Sequence, residues 1–418
     1  DPDRITEGEL SEPSICRMTR ESLSRKIKPK LVRVVNATGV VIHTNLGRSL
    51  LADSAIRNLI QIGSRYSNLE FDLFNGVRGS RYRAVEDLLC ELSGGEAAMV
   101  VNNNAGAVLL CIETLARGKN VIVSRGELVE IGGSFRIPDV MAKSGAFLKE
   151  VGTTNRTHLF DYENAINDDT SLLLKVHRSN FSIVGFTAGV DLKTMVALGE
   201  KYHIPVMEDL GSGTFIDFSR YGLMKEPTIR ESVSSGADLV TFSSDKLLGG
   251  PQSGIIVGKK AILDNIKKNP LTRALRIDKL TLAALESTLA LYRNEEEAVA
   301  VIPTLRMLTT PFDQIRKKAR RLFKMLMGLN NPRLSVVILN KDSRVGGGAF
   351  PLLSLPSQSI GIQVSGMSAN AVDAFMREFT TPIIGRIEDD LFMLDLRTIQ
   401  DDEPAVIRAG ILAMLGGG

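Results

Sequence analysis

The chain has 418 residues, with 51 Lys and Arg against 48 Asp and Glu, a formal net charge of +3. At ~100–200 residues per domain two or three domains are expected, and so balanced a charge excludes a general polyanion or DNA binder while leaving room for local basic patches. Apolar runs fall well short of the ~20 residues of a bilayer span. The three cysteines lack metal-ligand spacing, so no metal site is expected and a reducing cytoplasm fits. With no Trp and 5% aromatics, broad base-stacking surfaces are not expected.

Residues 1–34 read as a polar N-terminal arm. Seven basic residues (Arg17, Arg20, Arg25, Lys26, Lys28, Lys30, Arg33) face one acid, Glu21, between positions 17 and 33. Such a run is either a solvated face or a phosphate site. From 35 to about 300 short apolar runs alternate with helical stretches. Strands are expected at 98–101, 120–123, 147–151, 172–176, 204–207, 238–242 and 254–257, with helices at 105–115 and 280–292. Continuous apolar strands alternating with helices predict an α/β domain around a large, mostly parallel sheet. Residues 301–418 change character: a basic helix at 314–329, strands at 335–339, 360–364 and 391–396 around a glycine loop at 346–348, and helices at 369–379 and 404–415. They predict a smaller C-terminal α+β domain. The tail at 416–418 is expected to fray.

Three stretches carry chemistry. In Thr241-Phe-Ser-Ser-Asp-Lys-Leu-Leu-Gly-Gly-Pro-Gln252 a strand ends at Lys246. A desolvated amine there has a lowered pKa and suits Schiff-base chemistry; alone, the pattern equally describes a lysine leaving the sheet for solvent. Ser243, three residues earlier, is placed to contact a cofactor phosphate. In Val206-Met-Glu-Asp-Leu-Gly-Ser-Gly213 a strand ends at Asp209, the acid a pyridinium nitrogen needs, or a helix cap. In Val100-Val-Asn-Asn-Asn-Ala-Gly-Ala-Val108 small residues open a helix. The N–H groups of Asn104, Ala105 and Gly106 then suit a phosphate, unless this is an ordinary turn. Phosphate loop, acid and lysine on successive strand ends form the order of a fold-type-I pyridoxal-phosphate enzyme. Arg48, with Arg273 and Arg276 at i and i+3 on one helical face, suits an oxyanion substrate. Seven basic residues between 257 and 279 read otherwise as a solvated face.

Further stretches carry a resemblance: Asn36-Ala-Thr-Gly-Val-Val-Ile-His-Thr-Asn-Leu-Gly-Arg48, Val77-Arg-Gly-Ser-Arg81, Ser124-Arg-Gly-Glu-Leu-Val-Glu-Ile-Gly-Gly-Ser-Phe-Arg-Ile-Pro-Asp139, Glu150-Val-Gly-Thr-Thr-Asn-Arg156 and Lys175-Val-His-Arg-Ser-Asn180. With the lysine and arginine motifs they resemble the bacterial selenocysteine synthase (L-seryl-tRNA(Sec) selenium transferase) family from about residue 32 to about 400. The resemblance implies a cytoplasmic transferase of selenocysteine biosynthesis. It would convert seryl-tRNA(Sec) to selenocysteinyl-tRNA(Sec) through a cofactor-bound aminoacrylyl intermediate, with selenophosphate as donor. It further implies pyridoxal 5′-phosphate on Lys246, Asp209 at its ring nitrogen and a functional Asp245. Arg48, Arg273 and Arg276 would bind the selenium donor and Arg397 would orient the seryl group. A homo-oligomer is implied, a dimer or a ring of dimers such as a decamer. Two departures stand out. Ser244 occupies a position where the family usually has glycine, and the family's tRNA-recognition domain is much larger than residues 1–34, which puts direct tRNA affinity in question. The alternative reading is a pyridoxal-phosphate lyase or β-eliminase acting on a small amino acid or amino-sugar acid without tRNA. A non-catalytic RNA-binding protein ranks below both.

Overall fold

A computed structural model describes residues 11–27, 29–131 and 135–416. The acidic start of the arm, Lys28 and the last two glycines lie outside the described residues, as do the side chains of Arg25 and Lys26. The rest of the arm contains a helix, α1 (Glu12–Ile27), whose Arg17 and Arg20 are exposed. Arg33 turns back to pair with Asp402 at 2.8 Å and Glu403 at 3.4 Å.

After a short strand, β1 (Val40–Ile42), and helix α2 (Asp53–Ser64), helix α3 (Arg83–Ser93) leads into the large sheet. That sheet comprises β2 (Ala97–Val101), β3 (Asn120–Ser124), β4 (Phe147–Val151), β5 (Thr170–Val176), β6 (Val206–Gly211), β7 (Leu239–Ser243) and β8 (Gly254–Gly258). Their spatial order is β2-β8-β7-β6-β5-β3-β4. Only β8 runs against its neighbours. Strands β2, β6, β7 and β8 are buried along their whole length; β2 and β8 accordingly read as unbroken apolar runs, while β6 and β7 carry the buried polar residues Glu208, Asp209, Thr241 and Ser243. Helix α4 (Asn104–Ala116) packs on one face, its Leu110, Cys111 and Ile112 in a cluster with Val121, Leu174 and Met207. Helix α5 (Lys279–Leu291) packs on the other with α3, through Leu282, Leu285 and Leu289. Large-sheet architecture and helix placement match the α/β expectation.

The C-terminal part opens on the basic helix α6 (Phe312–Met327). A long hairpin follows, β9 (Leu334–Gly346) and β10 (Ala349–Val364), then β11 (Arg386–Glu388), β12 (Leu391–Asp395) and α7 (Pro404–Gly416). Residue 416 closes α7 rather than fraying. Gly346, Gly347 and Gly348 all have positive φ and turn the hairpin. The sheet order is β11-β12-β10-β9-β1. Residues 35–42, expected from sequence within the large domain, pair with this smaller sheet: β1 pairs with β9, Val35 and Asn36 pair with Ile383 and Ile384, and Val35 and Ala37 sit in its core, while Val41 and Ile42 pack in the core of the large domain. Strand partners lie over three hundred residues away, and no local pattern reports them.

Candidate active site

Strand register assembles the site. Val176, Asp209 and Thr241 stand side by side across β5, β6 and β7, all near the carboxyl ends where ligands bind open α/β sheets. Asp209 is buried, and its Oδ1 accepts from Asn104 Nδ2 at 2.7 Å, Thr241 Oγ1 at 3.1 Å and the Gly211 N–H at 3.1 Å. Burial pushes the Asp209 carboxyl above its usual range, while these donors and Lys246 pull it down.

Lys246 follows β7, and its side chain is 7% exposed. Burial pushes its amine below the usual lysine value, against the pull of Asp245 and Asp209. Nζ makes no hydrogen bond or ion pair with the described residues. Asp245 is held by Arg48, Nη1 to Oδ2 at 2.6 Å, and Ser49 Oγ donates to the carbonyls of Asp245 and Lys246 at 2.9 and 2.7 Å. Arg48 itself sits at φ 64°, a conformation side chains adopt at a cost of order 1–3 kcal/mol. Its N–H donates to the His43 carbonyl at 3.0 Å. The 43–49 segment is thus strapped over the lysine turn. Ser244 Oγ is taken up by the turn after the lysine, bonding Ser253 Oγ at 2.7 Å and the Pro251 carbonyl. Ser243 is buried, its hydroxyl without a hydrogen bond among the described residues.

The loop before α4 corrects one expectation. Asn103 is the N-cap, and its Oδ1 takes the Gly106 N–H at 2.8 Å, leaving Asn104 and Ala105, at the first positions of the helix, to face a ligand. Gly106 serves packing instead: a Cβ there would press on Leu275. Gly254 lets β8 pass against the Asn103 carbonyl, which any side chain would overlap.

The arginines divide. Helix geometry covers only Leu271–Ala274, so Arg273 is helical while Arg276 lies beyond it, bridged to Val101. The single helical face expected for both is not formed, because Leu275 ends the helix by donating from its N–H to Leu271. Even so, 275–276 run alongside the phosphate loop, the Asn102 N–H donating to the Leu275 carbonyl at 3.2 Å. Arg273 is exposed, its guanidinium without a hydrogen bond or ion pair among the described residues; Arg276 lies 3.8 Å from Glu70. Arg397 is the larger correction. Buried, it donates to the carbonyls of Met307 at 2.8 Å, Thr310 at 3.2 Å and Pro356 at 2.6 Å. A guanidinium spent on three carbonyls ties the small domain together and has little left for a seryl group. Its neighbour Asp395, fully buried, is bonded by Ser343, Ser357 and Arg386. Most of the basic 257–279 stretch is also engaged, with Lys259 on Asp238, Lys260 on Asp264 and Lys267 on Glu86.

Sequence reading overlooked Thr241, although its place two residues before Ser243 puts both on one strand face. It also overlooked His177. The His177 N–H donates to the Asp209 carbonyl at 2.8 Å, and Nε2 lies 2.5 Å from Glu226. No spacing signal joins residues 177 and 226.

Residues 34–400 match the family model described as L-seryl-tRNA selenium transferase. The chain belongs to that family. An L-seryl-tRNA(Sec) selenium transferase of Geobacter sulfurreducens is 56% identical over 406 residues, 97% of this chain and 88% of the relative. Another, of Nitratidesulfovibrio vulgaris, is 51% identical over 418 residues, 99% and 89% respectively. A solved D-glucosaminate-6-phosphate ammonia-lyase shares the fold, with a TM-score of 0.63 at 20% identity over 95% of this chain and 98% of that one. The architecture of this selenium transferase family member is that of the fold-type-I pyridoxal-phosphate enzymes. Among the described residues, no helix is long and apolar enough to cross a membrane.

Proposed function

We propose that this chain is a pyridoxal-phosphate-dependent L-seryl-tRNA(Sec) selenium transferase, converting seryl-tRNA(Sec) to selenocysteinyl-tRNA(Sec) with selenophosphate as donor. The observation that carries the reading is Lys246, a buried, unbonded amine flanked by the Arg48–Asp245 pair and by a carboxylate with three donors, within a chain of this family. The residues fit the cofactor. Asn104 Oδ1 is buried without a partner, the α4 N-terminus offers free N–H groups, and Asp209 supplies the acid. Asn104, Ala105 and Ser243 would hold the phosphate, Asp209 the ring nitrogen and Lys246 the aldehyde carbon. When bound, pyridoxal phosphate supplies an electron sink for the charge left at the seryl Cα.

The chain's own residues do the rest. Lys246 Nζ, desolvated and therefore neutral at lower pH than a free lysine, takes the Cα proton. Arg48 holds the Asp245 carboxylate in place beside it. Arg48, Arg273 and Arg276 take the oxyanion of the selenium donor, which must add at the seryl β-carbon once its hydroxyl has left. Arg397 is not part of this reading. The lyase alternative has only fold-level likeness behind it, whereas the transferase relatives share half or more of their residues with this chain. Assembly into a homo-oligomer is supported by the exposed Ile60, Leu73 and Phe74 beside α2, which a second copy would cover.

Selenium transfer to seryl-tRNA(Sec), with free serine as control, tests the function: turnover of free serine alone would favour the lyase. Arg273→Ala is expected to raise the selenium donor's KM about 10-fold or more with the cofactor absorbance unchanged, charge-assisted bonds being worth about 1.5–3 kcal/mol. Loss of that absorbance instead would remove Arg273 from the donor site. Asn104→Ala removes one of the donors that lower the Asp209 pKa. The carboxyl should rise further, so the acid limb of the kcat–pH profile is expected to move to higher pH. An unmoved limb would dissociate Asp209 from that limb.

A further inference from the structure

The basic helix α6 is not used by the chemistry above. Lys317, Arg320, Arg321 and Lys324, at i, i+3, i+4 and i+7, share one exposed face. None of the four makes an ion pair or side-chain hydrogen bond with the described residues. The neighbouring Arg316 and Lys318 are paired with Asp313 and Asp401. This contrasts with the 257–279 stretch, where the lysines are largely matched by local acids.

The same helix walls a groove of about 570 Å³. Lys317, Lys318 and Arg321 stand on its rim, and Leu322, Met325 and Ile399 form an apolar floor. At the far end lies Gln400. Gln400 also lines a second cavity, of about 310 Å³, whose walls include Arg33, His43 and Arg48. Arg48 is bonded to the carboxylate adjoining Lys246. The two cavities share Gln400, so the basic rim and apolar floor on the outer surface of the small domain adjoin, through that residue, a cavity walled by the arginine that holds Asp245. In the inner cavity His43 Nδ1 accepts from the Asn45 N–H at 3.3 Å, which leaves Nε2–H as a donor. Arg48 keeps Nε and Nη2 unbonded. The two acids here are already matched, Asp401 by Lys318 and Glu403 by Arg33.

Unpaired cations beside apolar surface suit a single-stranded polynucleotide: phosphates on the guanidinium and ammonium groups, with the aliphatic floor against the bases. We propose that the groove between α6 and residues 396–404 binds the 3′ single-stranded end of the RNA substrate and leads it past Gln400 and Arg48 to Lys246. The proposal rests on the seryl-tRNA reading and adds the route by which the aminoacyl end arrives.

The test uses holoenzyme and unacylated tRNA(Sec), comparing wild type with the Lys317→Ala/Arg321→Ala double variant, and Lys119→Ala as a surface control. Both substituted side chains are exposed, so unchanged melting and cofactor absorbance are expected. The double variant should bind about 10-fold or more weakly near 0.1 M salt, and its slope of log K against log salt should fall by about 2. With tRNA lacking its unpaired 3′ nucleotides, wild type and double variant should bind alike. Equal affinity and slope for intact tRNA would overturn the proposal. A difference that persists with the shortened tRNA would also overturn it, placing α6 against duplex phosphates away from the route. Wild-type holoenzyme that fails to bind tRNA(Sec) at all would instead remove the seryl-tRNA reading itself.

Discussion

Lys246→Ala is expected to abolish selenium transfer, lowering kcat by about 10⁴-fold or more, because one amine supplies both the covalent anchor and the base. The long-wavelength cofactor absorbance should vanish with it, and borohydride trapping followed by peptide mapping should label wild type at this residue. Stability should hold or rise. The amine is buried without a hydrogen bond, so removing it relieves a desolvation cost rather than breaking a contact. A variant that retained the absorbance band, or a label on another lysine, would overturn the assignment and everything built on it.

Asp209→Asn is the second large effect. The amide keeps the shape of the carboxylate and can still accept from Asn104, Thr241 and Gly211. It removes the charge that keeps the ring nitrogen protonated, and kcat should fall by about 10³-fold, of the order seen when a preorganised electrostatic group is lost. The cofactor-free protein should respond in the opposite sense. The folded-state pKa of Asp209 is raised by burial, so wild type gains stability from this group as pH falls below that pKa toward the ordinary carboxyl value, and the gain is lost as pH rises back through the folded pKa. The amide variant lacks that dependence and should be the more stable at neutral pH. Thermal melting of both proteins across pH checks the sign, and single-turnover kinetics check the rate. A kcat within about 10-fold of wild type would take Asp209 away from the ring nitrogen.

Much of this molecule is decided by local chemistry. A buried strand such as Ala97–Val101 must be apolar throughout, and helix Lys279–Leu291 must repeat its apolar side chains with the helical period. Both constraints are visible within a dozen residues. So is the succession of phosphate loop, acid and lysine, since each lies at or just past the end of a strand and strand ends are marked by a change from apolar to small or polar residues. Family motifs extend that legibility to the arginines. What remained hidden depends on groups far apart in the chain. Nothing near Val40 announces that β1 completes the sheet of residues 334–395, because pairing is set by which edge is open after the rest has packed. Arg397 looked like a substrate ligand until burial surrounded it with three carbonyls. Gly106 looked free until Asn103 capped it. Composition and spacing, then, determined the elements and named the lysine, the acid and the loop. Only the folded chain decided which charges are already satisfied. Hydrogen bonds and desolvation act over a few ångströms in space, whatever the separation in sequence, and they alone left Lys246 unpaired and the face of α6 bare.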